Sequence, residues 1–157
     1  DNIAYDNPGR DPSEILEITK AAALDDTVEG FPEGLDTILG ERGVTLSGGQ
    51  KQRTALARGL IRQSPILILD DCFSAVDTET EERILFGLKQ MRKNSTTLLV
   101  SHRVSTARHA DRIMVLEHGE IKEIGTHNEL LNLGGFYANL ELAQRHTEDK
   151  PKPRRLG

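Results

Sequence analysis

The 157-residue chain has one cysteine, no tryptophan, four phenylalanines and two tyrosines. A single cysteine, Cys72, excludes an internal disulfide. No run of about 18 apolar residues is present, which excludes a membrane span within these residues; the apolar run Ile66–Leu69 is strand-sized. The five histidines, at 102, 109, 118, 127 and 146, lack zinc-site spacing. Asp1, Asp6 and Asp11 give the opening residues the wrong charge for a secretory leader, so a reducing compartment is the expectation. A net charge of −5, with no basic groove visible, argues against a nucleic-acid partner. What is present suffices for a folded core: 36% hydrophobic and 29% charged residues. The acids crowd into residues 1–45, read as a solvated face, and a basic, Pro-rich tail starts at Lys150.

Local signals mark out the elements. Asp11-Pro12 starts a helix whose apolar stripe is Ile15, Leu16, Ile18, Ala22 and Ala23. Residues 25–46 read as turns and loop. Ser47, with Gln50 three residues on, forms a capping box and opens a helix to about Arg62, with Leu56, Leu60 and Ile61 inward. Ile66–Asp71 lacks alternation and predicts a strand buried on both faces. Asp77 caps a helix from Thr78 to Met91, and Thr96–Ser101 is a second buried strand. A short helix near 104–108 leads to a third strand, Arg112–Glu117, which His118-Gly119 folds back onto Glu120–Gly125. Thr126 caps a helix near 127–132, and a last helix spans 136–145. The alternation predicts an α/β fold with a mainly parallel sheet and flanking helices.

Several groups have chemical potential. The first turn of the Ser47 helix offers free amides, and Gly48 and Gly49 let an anion reach them without a Cβ in the way. Taken alone, SGGQ fits a phosphate-binding helix end and an ordinary N-cap equally well. Asp70-Asp71 ends a buried strand, where a carboxylate holds Mg²⁺ beside a nucleotide or caps a neighbouring helix. His102 follows the second strand; by itself it reads as structural. Asp77 is first a helix cap, and Cys72 reads as a small buried hydrophobe.

Taken together, LSGGQKQR (Leu46–Arg53), ILILDD (Ile66–Asp71), SAVD (Ser74–Asp77) and SHR (Ser101–Arg103) resemble, in order and spacing, the signature, Walker B, D-loop and switch histidine of an ABC-type ATPase domain. GERGVTLSGGQ (Gly40–Gln50) and GEIKEIGTHNELL (Gly119–Leu131) are similar to the exporter branch, and the resemblance covers residues 1–145. It implies a P-loop NTPase-like core at 63–145, a portion of the helical signature subdomain at 1–62, and a disordered basic tail at 146–157. It further implies ATP and Mg²⁺ shared between two such domains. Ser47, Gly48, Gly49 and Gln50 would then serve an ATP seated on the facing domain. Asp70 would serve as the metal ligand, Asp71 and His102 as the catalytic pair for this chain's own ATP, and Asp77 as a bridge across the dimer. Glu41 lies where exporters meet their transmembrane domain, which implies a place at the cytoplasmic face of a membrane.

Two departures from the family pattern matter. No glycine is followed by lysine, so GxxxxGK[ST] is missing and the chain reads as the carboxyl-terminal part of a longer polypeptide, with Walker A and membrane helices ahead of it. Asp71 stands where the family usually has Glu, and a carboxylate one methylene shorter sits about an ångström further from the attacking water. That combination resembles the degenerate half of a heterodimeric exporter whose other subunit keeps Glu. The competing readings are a soluble ABC-type ATPase of chromosome or repair machinery and a module that uses ATP only to dimerise. The expected behaviour of the isolated 157-residue chain is no magnesium-dependent ATP turnover in a phosphate-release assay; measurable turnover overturns that expectation.

Overall fold

In the computed structural model, which describes residues 2–40 and 43–148 with side chains to Arg145, helix α1 (Pro12–Ala21) begins at the expected cap. The Asp11 carboxylate accepts from the Ser13 amide, and Pro12 occupies the first turn, where its missing N–H costs nothing. Ile18, Ala22 and Ala23 of the expected stripe are buried, whereas Leu16 is exposed. Thr19 takes an inward place instead, its hydroxyl donating to the Leu16 carbonyl at 2.8 Å. The stretch read as loop contains a five-residue helix, α2 (Asp25–Glu29), and one 3₁₀ turn (Gly34–Asp36).

Helix α3 (Gly48–Leu60) carries the capping box at both ends of its reciprocal bond: Gln50 N donates to Ser47 Oγ at 3.3 Å, and Ser47 N donates to Gln50 Oε1 at 2.8 Å. Leu56, Leu60 and Ile61 point inward as expected. Strand β1 (Ile66–Asp70) and strand β2 (Thr96–Val100) pair in parallel, from Ile66 beside Thr96 to Asp70 beside Val100. Helix α4 (Thr78–Met91), capped by Asp77, is the crossover between them. Residues of α1, α3, β1 and α4 share one core with Phe73 and Val76.

Burial of β1 and β2 departs from the expectation. Leu67 and Leu69 face the helices and are buried, but Ile66 and Ile68 on the other face are 61% and 63% exposed. Leu98 and Val100 of β2 are likewise exposed. A non-alternating apolar strand suits a sheet covered on both sides, and helices among the described residues cover only one.

The chain divides into two compact units, Asp1–Val100 and Ser101–Gly157. The first therefore runs across the sequence boundary at 62/63. In the second, helix α5 (Val104–Ala107) precedes strands β3 (Ile113–Glu117) and β4 (Glu120–Gly125), an antiparallel hairpin turned at His118-Gly119. The strand expected as third member of the parallel sheet thus forms a separate two-stranded sheet. Helix α6 (His127–Leu133) has a capping box between Thr126 and Glu129 and ends at Gly134, whose φ of 67° is left-handed. At the start of helix α7 (Phe136–Glu148), Glu123 on β4 accepts from the Phe136 and Tyr137 amides. The helix continues to Glu148, past the expected stop at 145, and the remainder of the basic tail lies outside the described residues. Val104, Ile113, Leu130 and Tyr137 form the second core. Among the described residues, no helix is long and apolar enough to cross a membrane.

Ile84 on α4 is fully buried in the first core. Ile84→Ala is expected to lower unfolding free energy by about 2–5 kcal/mol in urea denaturation, the usual range for removing a buried isoleucine.

Candidate functional site

Two segments 25 or so residues apart in sequence meet at the start of α3. The Gly48 and Gly49 amides lie in its first turn, and no described residue accepts from them. The Ser47 hydroxyl accepts from Gln50, which leaves its own hydrogen available to a ligand. Against this turn packs the loop between β1 and α4. A Cβ on Gly49 would lie 2.7 Å from the Ala75 carbonyl oxygen, so only glycine permits the approach. One on Gly48 would stand 3.7 Å from the Ala75 methyl, an ordinary contact. Gln52, one turn into α3, reaches the same loop with both ends of its amide: Nε2 donates to Ser74 Oγ at 2.8 Å, and Oε1 accepts from Ala75 N at 2.9 Å.

The carboxylates follow from the strand end. Asp70 is the last residue of β1 and is exposed. Asp71 turns the chain out of the sheet with a φ of 45°, a left-handed conformation that Asp tolerates better than most residues. Its amide donates to the Val100 carbonyl at 3.2 Å, which fixes the turn to β2, and its carbonyl accepts from Ser74 Oγ at 3.4 Å. Both carboxylates stand at the carboxyl end of a parallel pair, where ligands of such sheets bind. The chemistry of Asp70 fits Mg²⁺ held by one or two carboxylates together with substrate phosphates; among the described residues no three His, Cys, Asp or Glu side chains gather as a self-sufficient metal site.

Asp77 accepts from Thr80 twice, from the backbone amide at 2.9 Å and the hydroxyl at 2.8 Å. Those bonds, the amide first, hold its carboxyl below the usual aspartate value, with Arg53 adding a smaller attraction. The cap therefore contributes in full above the ordinary aspartate range and is lost as pH falls through the depressed value. Burial pushes the Cys72 thiol up to about 11, as befits a half-buried apolar neighbour of Phe73 and not a nucleophile. His102 belongs to the second unit and is exposed. Gln144 on α7 holds the backbone around it, donating to the His102 carbonyl and accepting from Val104 N, each at 2.8 Å. Glu41 lies outside the described residues.

The structure thus joins Ser47–Gln50 to Ser74–Ala75, and Asp71 to Ser74. Residues 4–74 match the family described as ABC transporter. The chain is 45% identical to the "Uncharacterized ABC transporter ATP-binding protein YknU" of Bacillus subtilis, over 99% of its own length and 27% of the relative's. It is 49% identical to the "ATP-dependent lipid A-core flippase" of Pasteurella multocida, over 91% of the chain and 25% of the relative. Among solved structures, a bacterial Atm1-family ABC exporter with ATP bound aligns with a TM-score of 0.82 at 43% identity, covering 91% of this chain and 25% of that one. The chain is thus similar to ABC transporter ATP-binding proteins along nearly its whole length. It spans about a quarter of the length of these relatives.

The segments that resemble the family's signature turn (Ser47–Gln50) and D-loop (Ser74–Asp77) are packed against each other. Sequence reading placed both motifs but missed Gln52 and Gln144, whose partners lie 22 and 42 residues away in sequence. Glutamine on a helix face carries no local sign of such a role. Gly49→Ala is expected to force the signature turn off the D-loop: in the full-length protein, turnover falls by about 10²-fold, the usual cost of an ångström-scale misplacement. Gly48→Ala, which meets only ordinary contact, is expected to be milder in the same ATPase assay.

Proposed function

We propose that, in the full-length protein, this chain is the ATP-binding and hydrolysing part of an ABC exporter, and that its signature turn grips an ATP seated on a second ABC ATPase domain. The observation that carries this reading is the first turn of α3, with the Gly48 and Gly49 amides unengaged, the Ser47 hydroxyl able to donate, and the D-loop pressed against it. Amides at a helix start stabilise phosphate charge through hydrogen bonds and the helix dipole. The functional division follows: 1–62 as signature-bearing helical subdomain and 63–145 as the carboxyl-terminal part of the ATPase core.

Asp70 would hold Mg²⁺, which when bound neutralises phosphate charge. Asp71 orients or deprotonates the attacking water for the chain's own ATP, and His102 contacts the terminal phosphate. Asp77 meets the facing domain. Glu41 contacts the transmembrane domain, placing the chain at the cytoplasmic face of the membrane. The names of the relatives, a flippase and an exporter, support the transport setting.

Asp71 makes this chain's own site the slow one, and the intact signature completes a working site on a partner subunit that retains Glu. The same residue also favours a second reading, in which ATP serves to hold two domains together; ATP-driven dimerisation without product release would identify it. Asp71→Glu in the assembled full-length complex is expected to raise ATP turnover by about 10-fold or more, within the range that a general base contributes. Ser47→Arg, which fills the phosphate approach, is expected to abolish it. An equally active homodimer in which Asp71→Asn is the damaging change would overturn the degenerate-site reading.

A further inference from the structure

We propose that Gln52 is a positioning residue that locks the signature turn and the D-loop into one body, so that the gripping of one ATP and the hydrolysis of the other are mechanically joined through this chain. The inference rests on the function proposed above.

The geometry is over-determined. A backbone N–H can only donate, so the bond from Ala75 N fixes which end of the Gln52 amide is oxygen. The Nε2 end must then donate to Ser74 Oγ, and that hydroxyl has its own hydrogen left to donate to the Asp71 carbonyl. The three bonds are mutually consistent and form a relay: Gln52 to Ser74, Ser74 to Asp71, with Ala75 tied in parallel. Gln52 lies in the first turns of α3, the helix whose opening residues face phosphate. In the function proposed above Asp71 serves the chain's own nucleotide, and its left-handed backbone is tied to the Val100 carbonyl on one side and to Ser74 on the other. The close approach of Gly49 to the Ala75 carbonyl makes the contact rigid as well as hydrogen-bonded. A shift of the signature turn on gripping phosphate therefore moves Ser74, Ala75 and the Asp71 carbonyl with it. A leucine at position 52 would fill similar volume and break both bonds, leaving the Ala75 amide and the Ser74 hydroxyl to find other partners.

The test uses the full-length assembled transporter, with MgATP as the probe and kcat expressed per nucleotide-binding protein. Gln52→Leu is expected to lower kcat by about 10–100-fold, the cost of misplacing catalytic groups by up to an ångström, with little change in the KM for ATP. Adding Ser74→Ala to Gln52→Leu is expected to cost nothing more, because both remove the same relay. Gln52→Glu keeps the acceptor for Ala75 N but has no donor for Ser74, so it is expected to recover only the part of the turnover that the Ala75 bond supports and to stay below wild type. Wild-type kcat in Gln52→Leu, additive losses in the double variant, or wild-type kcat in Gln52→Glu would overturn the proposal. Ser47→Arg separates the two levels. If that variant still turns over, the proposed function itself fails; if it is inactive while Gln52→Leu is fully active, only the relay fails.

Discussion

The first turn of α3 touches the loop after β1 so closely that a methyl group does not fit between Gly49 and the Ala75 carbonyl. Much of the site's organisation follows from that contact. It requires glycine on the helix side; the Gly48 and Gly49 amides, as the first of the helix, have no acceptor among the described residues. Such amides are costly to bury and cheap to offer to an anion. The capping box of Ser47 and Gln50 keeps the turn wound, and the α1–α3–α4 core beneath it supplies the rigidity that a loop alone lacks.

The carboxylate side of the site is built differently. Asp70 inherits its position from the parallel register with β2, whereas Asp71 is placed by a left-handed turn held by hydrogen bonds to both sides.

Sequence signals of short range were legible throughout. Asp11, Ser47, Asp77 and Thr126 each cap the helix they were expected to cap, because a cap needs only its own first turn. The pairing of β3 with β4 was equally local. What escaped the sequence depends on distant neighbours. Ile66 and Ile68 read as buried because the run does not alternate, yet burial is decided by what lies over the sheet. Leu16 fits the helical stripe but loses its place to Thr19, which satisfies its hydroxyl on the helix itself and so enters the core at little cost. Gln52 looks like any solvated glutamine until the D-loop arrives beside it. The motifs themselves were legible as an ordered set, although each was ambiguous alone.

The bare face of the β1–β2 pair has a consequence for handling the polypeptide. Ile66, Ile68, Leu98 and Val100 form a wet greasy surface, flanked by strand edges that no described residue pairs. Open edges beside uncovered aliphatic side chains are templates for sticking to another copy. At high concentration the polypeptide by itself is therefore prone to aggregate through this face, and shielding it, not strengthening the helices, is the route to a well-behaved sample.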